Sequence, residues 1–498
     1  MRNELEEYLL YDAIIIGAGI GGLTCAAKLA KNGKSVLLLE KNYHIGGTSH
    51  IFHRGSYYFP MGPLSFSSPN IVLKLLDEIG INEKIDFKRN HFQLITPFFD
   101  IIYSHPFEKL KEYLKTIFKD EKEGIDAFIN KLKEIIEAFG KVHQWHPDYL
   151  IGKKREAALK NLMPKYNKEL EIIKEGLQIP AKQYLEKIIS STILQNFFGS
   201  QSTYEPVMSL TLLAAMWDFT SKRGIWFPSC KIHGINQLIY EAILNYGGEV
   251  KLSAPVKEIL IEDKHALGVE TSKDEILESN WVISNADYKK TFFELINPQN
   301  IPEQFLKSVK NYSMSGSELC VYLGVAPQKI DLSKMRAQHV FYRKEIKSKE
   351  KFDPEDFDNR EIEICLWSKN AQDSAPAGRA TIILRVGFSY DHFSEWRIGE
   401  KKRKNGYRDY KRKLAEKLIK TVENILPGLS SSIEKMEIAT PLTYKDWGNR
   451  YRGSIEGWSW NIKEQNKINR KLLIETPIDN LLMIGICSSC ELFLGGYP

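Results

Sequence analysis

The stretch Ala13-Ile14-Ile15-Ile16-Gly17-Ala18-Gly19-Ile20-Gly21-Gly22 decides the fold. Its four consecutive apolar residues, bounded by glycine, read as a short strand of a parallel sheet covered on both faces. Gly17, Gly19 and Gly22 fill the three glycine places of G-x-G-x-x-G. The first permits a tight turn, the second lets backbone approach a pyrophosphate, and the third allows close packing of helix on strand. Residues 23–31 have helical composition, Asn32-Gly33 stops the helix, and 35–39 is a second apolar run, so these pieces make a βαβ unit of about 30 residues. Glu40 ends the second strand, about 20 residues past the glycines, where an acid hydrogen-bonds the ribose hydroxyls of an adenosine. Amides and the positive dipole at the helix N-terminus receive phosphate. Gly17, Ala18, Gly19, Gly22 and Glu40 are therefore expected to bind a dinucleotide.

Around this unit the composition is that of an ordinary soluble globular chain. Of 498 residues, 69 are Lys or Arg and 63 Asp or Glu, a formal net charge of +6 that does not point to nucleic acid. With 43% hydrophobic and 27% charged residues the chain is neither disordered nor collagenous. Six cysteines are too sparse for a disulfide framework and favour a reducing compartment. Residues 1–7 carry three glutamates and no apolar run, unlike a secretory signal. The nearly uncharged stretch 13–27 is too short to span a bilayer. These features place the protein in the cytoplasm, with membrane contact at most peripheral.

Three regions follow from texture. A discontinuous dinucleotide-binding domain is assigned to 8–105 plus 225–300 plus 475–498, a helical insertion or cap to 106–224, and a substrate domain with an antiparallel sheet to 301–474. Long Lys/Glu/Leu/Ile stretches such as 127–139 and 181–198 have helical spacing. Strand character returns at 248–252, 256–261, 267–271 and 281–283, an order that suggests re-entry into the first sheet. Residues 318–325, 361–367 and 381–387 read as strands of the second sheet. A basic amphipathic helix over 407–426 ends at Pro427-Gly428, and a last apolar strand at 481–484 leads into Gly485.

The continuation Lys41-Asn42-Tyr43-His44-Ile45-Gly46-Gly47-Thr48 resembles the E-K-x-x-x-x-G-G segment of the two-dinucleotide-binding-domain flavoproteins. The resemblance makes the dinucleotide FAD, brings the backbone of Gly46 and Gly47 near its phosphates and ribityl chain, and counts Lys41 and Thr48 among the cofactor-binding residues. Further segments narrow it: Ile225-Trp226-Phe227-Pro228 ahead of Gly234-Ile235-Asn236-Gln237-Leu238; the 247–287 region; and Thr440-Pro441-Leu442-Thr443-Tyr444 ahead of Arg452-Gly453-Ser454-Ile455-Glu456-Gly457-Trp458. Together they resemble the phytoene desaturase, carotenoid isomerase and retinol saturase family, across nearly the whole chain. That family implies a Rossmann-like FAD-binding α/β domain, an α+β second domain with an antiparallel sheet, and a helical cap. It also implies backbone contact of Val256 with the adenine, Gly485 beside the flavin, and hydride transfer between flavin and a polyene or isoprenoid lipid. The direction, desaturation or saturation, stays open, with a lean to saturation. Cis–trans isomerisation on reduced FAD and non-catalytic isoprenoid binding are the alternatives, and amine oxidation is a third class. No catalytic residue and no electron partner is named by the sequence.

The chain departs from the family in three places. Pro60 stands where the F-D-x-G-P pattern has an acid, Ile486 stands where Gly-Asp is usual, and the sequence stops at Gly495-Gly496-Tyr497-Pro498, short of a further helix. Cys487-Ser488-Ser489-Cys490 reads as a redox pair or as small loop filling. His44, His50 and His53 crowd the FAD segment without metal-ligand spacing, so no metal is expected, and His143 and His146 around Trp145 read as surface or packing residues. Lys153-Lys154-Arg155 and Lys401-Lys402-Arg403-Lys404 read as solvated faces or as attraction to anionic lipid. The aromatic stretch 210–227 reads as a tunnel lining or as core.

Overall fold

A computed structural model describes residues 10–102, 107–142, 157, 160–161, 164–199, 207–220, 223–346, 353–469 and 473–488. β1 (Ala13–Ile16), α1 (Ile20–Lys31) and β2 (Val36–Leu39) form the βαβ unit, with both strands buried throughout. They sit in a five-stranded parallel sheet ordered Glu249–Lys251, β2, β1, Val282–Ser284, Leu481–Met483. Both faces are covered, which is why neither strand alternates. Ala13, Ile15, Val36 and Leu38 pack under Leu23 and Ala27 of α1 and Ile239 and Ile243 of the Lys231–Asn245 helix. Ile14, Ile16, Leu37 and Leu39 pack against Tyr288 and Phe292.

The expected re-entry into this sheet is met by Glu249–Lys251 and Val282–Ser284. The strands between them, Val256–Glu262, His265–Thr271 and Ile276–Glu278, instead make a separate antiparallel sheet. The turn explains it: Asp263 and Lys264 both have positive φ, the conformation of a tight hairpin, which can only join antiparallel neighbours.

The second sheet has seven strands, ordered Ile433–Ala439, Ser317–Val325, Ala380–Phe388, Ile362–Leu366, His339–Tyr342, Phe92–Ile95, Asp100–Ile102. All neighbours are antiparallel except His339–Tyr342 beside Phe92–Ile95. Phe92–Ile95 and Asp100–Ile102 thus cross the boundary drawn at 105. Their ladder partner is remote in sequence, so no local pattern assigns them to a sheet. The Tyr407–Val422 helix covers one face of this sheet through Leu414, Leu418 and Val422.

Helices Phe107–Ile117, Lys122–Val142, Asn167–Gln178, Ala181–Ile188, Thr192–Gly199 and Leu210–Thr220 build the cap. Trp217, from the stretch read as a tunnel lining or as core, takes the core place: it is fully buried in the cap against Phe107, Phe128, Phe197 and Phe198, and its Nε1 donates to the Phe198 carbonyl at 2.9 Å. The helical run expected over 181–198 breaks at 189–191. There the Glu121 carboxylate accepts from Ser190 N at 3.0 Å, Ser190 Oγ at 2.6 Å and Ser191 N at 2.5 Å. Replacing Glu121 with Gln removes the charge from three hydrogen bonds and is expected to destabilise the cap by about 1–2 kcal/mol, read by denaturant unfolding. An unchanged transition midpoint would show that the break does not need the carboxylate. No helix among the described residues is long and apolar enough to cross a membrane.

Candidate functional site

The site is built where strand ends of the first sheet meet the second. A Cβ on Gly22 would stand 2.0 Å from the Gly17 carbonyl oxygen, so only glycine lets α1 descend this close to the turn. Gly19 is the N-cap of α1. No side chain caps the helix and no acid lies in its first turn, leaving its amides and positive end unanswered by the protein. Gly46, at φ +91°, presses on Asn236, where a Cβ would come within 2.4 Å of Nδ2. Its amide donates to the Ala18 carbonyl at 2.7 Å, and a Cβ on Gly47 would lie 3.3 Å from Gly19 Cα. Two glycine turns are thus stacked as bare backbone.

Buried Glu40 accepts from the Ala18 amide through Oε2 at 2.8 Å and from the Asn42 amide through Oε1 at 2.9 Å. These bonds orient the carboxylate, and each oxygen keeps a lone pair for a further donor. The Ala254 amide donates to the Glu40 carbonyl at 2.9 Å, which brings the start of the Val256 strand beside it. Asn285, in the Ser284–Asp287 segment that the family resemblance implies closes the FAD sheet, is a hub whose contacts the sequence does not give: its Nδ2 donates to the Gly17 carbonyl at 3.2 Å, and Cβ atoms on Gly19 and Gly485 would lie 2.9 Å and 2.5 Å from its amide group. Thr48 Oγ1 accepts from Arg450 Nη2 at 3.3 Å. Lys41 lies at the edge, its pKa lowered by burial and then by Lys290. Gly17, Ala18, Gly19, Gly22, Glu40, Gly46, Gly47 and Gly485 therefore converge, with Lys41, Thr48 and Val256 around them. Asn236 Oδ1, on the side chain that Gly46 presses on, and Ser488 Oγ, three residues past Gly485, are buried without partners among the described residues. Bare backbone, an uncapped helix and orphaned polar atoms fit a dinucleotide.

The other singled-out residues divide. His44 and His50 stack at 4.1 Å, and burial, followed by the neighbouring histidines, lowers His50 to about 4, so both read as packing groups. No metal-binding group of His, Cys, Asp and Glu exists among the described residues. Pro60 is buried in the Tyr57–Pro60 strand opposite Ile51. Cys487 is buried, while its partner Cys490 lies outside the described residues, as do His143, Trp145, His146, Lys153-Lys154-Arg155 and the final Gly495-Gly496-Tyr497-Pro498.

A segment from Arg450 to Trp458 joins this cradle to the second sheet. Arg450 donates from Nη1 to the Ile455 carbonyl at 2.9 Å while its Nη2 holds Thr48, and the Tyr451 amide donates to Asp287 Oδ2 at 2.9 Å. A Cβ on Gly453 would stand 2.2 Å from the Pro441 carbonyl, and one on Gly457 3.0 Å from the Ile486 carbonyl. Trp458 Nε1 donates to the Cys487 carbonyl at 2.7 Å. The G-S-x-x-G-W cluster is thus a seam, its glycines set where backbones touch.

On the sheet side of the seam lies a buried polar cluster. Arg385 binds Glu318 Oε2 at 2.7 Å and Glu363 Oε2 at 3.2 Å. His339 Nδ1 meets Glu363 Oε1 at 3.1 Å, and the Tyr444 hydroxyl donates to Glu318 Oε1. Desolvation alone would lower the pKa of His339, but Cys365 and Glu363 outweigh it and raise it to about 10. Desolvation likewise opposes ionisation of Glu363, yet Arg385 and His339 hold it below the usual carboxylate range. Two cations therefore face two carboxylates. Glu456 stands beside them with no hydrogen-bond partner for its carboxyl among the described residues. Desolvation, opposed by Arg385 and reinforced by Glu318, raises its pKa to about 7. Glu456, Arg385 and Glu363 are each half-buried and keep some accessible surface. The sequence places Tyr444 and Glu456 in family segments without giving either a role, and Arg385, Glu363 and His339 go unremarked; the available signal is charge inside otherwise apolar strands and the seam.

Residues 20–453 match the family model described as flavin containing amine oxidoreductase. The chain is 27% identical to the prolycopene isomerase, chloroplastic, of Daucus carota, over 89% of this chain and 71% of that one. It is 25% identical to the all-trans-retinol 13,14-reductase of Danio rerio, over 95% and 82%. The solved structure of an oxidoreductase from Methanosarcina mazei superposes with a TM-score of 0.59 at 16% identity, covering 96% of this chain and 94% of that one, a likeness of fold.

Proposed function

We propose, from the premise that this chain belongs to the flavin-containing amine oxidoreductase family and carries FAD, that it moves hydride between the flavin and a C–C or C=C bond of a polyene or isoprenoid lipid. The observation that carries this reading is near full-length similarity to two proteins whose names give conjugated polyenes as substrates. In this reading the amides at the N-terminus of α1 with Gly17, Ala18, Gly19 and Gly22 hold the pyrophosphate, and Glu40 takes the adenosine ribose. Gly46, Gly47 and Thr48 line the phosphate-to-ribityl path, Lys41 and Val256 the adenosine end, and Gly485 the flavin end. Bound FAD supplies a two-electron carrier; the seam and the polar cluster exclude bulk water and orient the reacting bond. The cap, residues 106–224, closes over the second sheet as substrate domain.

Saturation or desaturation is the leading chemistry, and isomerisation on reduced FAD is the second reading, favoured by the prolycopene isomerase relative. Peripheral membrane association belongs to the same proposal. Exposed Ile398 and Trp447, with Lys401 placed over the Trp447 ring at 4.4 Å, form an apolar and cationic patch.

The test is anaerobic mixing of the flavin-reduced protein with all-trans-retinol, and separately with prolycopene. The expected result is a polyene one double bond shorter in conjugation with one flavin oxidised per bond. A changed cis–trans ratio with the flavin left reduced would favour the isomerase reading. No change in either polyene in either flavin state, with amine-dependent oxygen uptake, would overturn the proposal.

A further inference from the structure

We propose that Glu456 is the proton donor and acceptor of this site, a catalytic residue that works on the carbon next to the one exchanging hydride. The inference rests on the lipid-oxidoreductase reading above, and three observations carry it.

The first is place. Glu456 lies on the seam between cradle and sheet. Its amide donates to Ser315 Oγ at 2.9 Å, the preceding Ile455 carbonyl is held by Arg450, which also holds Thr48, and the following Gly457 touches the Ile486 carbonyl. The carboxyl therefore emerges where the elements expected around the flavin meet the second sheet.

The second is valence. Every other carboxylate of the cluster is committed: Glu318 to Arg385 and Tyr444, Glu363 to Arg385 and His339. Arg450 spends its guanidinium on Ile455 and Thr48. Among the described residues Glu456 is the one carboxylate of the cluster without a hydrogen-bond partner, and it is half-buried, keeping accessible surface. A half-buried carboxyl without a protein partner is available to a substrate.

The third is charge. Arg385 and Arg450 favour an ionised Glu456 and Glu318 and Glu363 oppose it, but the largest influence is desolvation, which disfavours the carboxylate. Glu456 is held as a neutral acid up to about pH 7, within reach of both protonation states under physiological conditions.

In the saturating direction the π pair of the alkene takes the Glu456 proton. The O–H bond breaks, a C–H bond forms at one carbon, and the neighbouring carbon takes hydride from the reduced flavin. The alkene gains two electrons and the flavin loses two; Glu456 is left as carboxylate and recovers its proton from water. Desaturation runs the same exchange in reverse, with Glu456 accepting the proton.

Two measurements test this with the FAD-loaded protein and the polyene that reacts above. Difference infrared spectroscopy of wild type against Glu456→Gln should show a protonated-carboxyl band that titrates near pH 7 and is absent in the variant, a readout independent of turnover. Single turnover in D2O should place one solvent deuterium on the product. It should be slowed at least 100-fold in Glu456→Gln with FAD content unchanged, and be partly restored in Glu456→Asp. If wild type turns over and Glu456→Gln matches it in rate and pH profile, the role of Glu456 is overturned while the functional reading stands. If wild type transforms no polyene, the functional reading falls and takes this role with it.

Discussion

Gly22→Ala should empty the FAD site while leaving the rest of the protein folded. The substituted methyl would stand 2.0 Å from the Gly17 carbonyl oxygen and 3.2 Å from its carbon, and both are backbone, so no side chain can swing away. Either α1 lifts from β1 or the turn at Gly17 opens. Each movement displaces the amides that face the pyrophosphate and loosens the stacking of Gly47 on Gly19. Overpacking of this kind costs about 1–3 kcal/mol, and if most of it falls on the cradle, FAD binds roughly 10- to 100-fold more weakly. Gly33→Ala is the matched control. Gly33 has φ +75° with nothing within 4 Å of a Cβ, so the substitution costs of order 1 kcal/mol in backbone strain without touching the cradle. FAD released on heat denaturation measures both variants. Equal flavin content in Gly22→Ala and wild type would mean that the tight approach of α1 does not serve the cofactor.

This contrast also shows which parts of the structure could be read in advance. Gly22 is legible because its reason is local: strand, turn and helix are contiguous, and the steric rule acts across five residues. Asn285 does equal service, touching Gly17, Gly19 and Gly485, yet nothing around it announces this. Its role arises only when Val282–Ser284 pairs with β1 on one side and Leu481–Met483 on the other. The polar cluster was hidden for a different reason. In Ser317–Val325 the alternation is regular: Leu319, Val321 and Leu323 face one core, while Glu318, Cys320 and Tyr322 face the other way. An alternating strand predicts a wet second face. Here every residue of the strand is buried, because the FAD-binding layer and the seam cover that face. Period-two patterning reports which side chains share a face and cannot report what lies on it.

Because that face is covered, Arg385 carries the second large effect. Arg385→Met is expected to destabilise the protein by about 3–5 kcal/mol at pH 7.5, since removing one partner strands the others as uncompensated charge. Glu318 and Glu363 would then answer only to His339 and the Tyr444 hydroxyl. Adding Glu318→Gln should restore most of the loss: the amide oxygen still accepts from Tyr444, and the cluster returns to one cation against one carboxylate. The rise in stability as pH falls from 7.5 to 5 should be steeper in the variant than in wild type, where Glu363 stays ionised across that window. In wild type Glu363 has a folded pKa below its ordinary 4.5, so its contribution is present above that value and is lost as pH falls through the folded pKa. In Arg385→Met the orphaned carboxylates have raised pKa values, so the folded state binds more protons than the unfolded one and stability rises as pH falls from 7.5 toward 5. Unfolding midpoints of wild type, Arg385→Met and Arg385→Met/Glu318→Gln at pH 5 and 7.5 separate these cases. A single variant as stable as wild type at pH 7.5 would show that water reaches the carboxylates well enough to do without the guanidinium. A single variant equally unstable at both pH values would assign the loss to packing of the arginine stem rather than to charge.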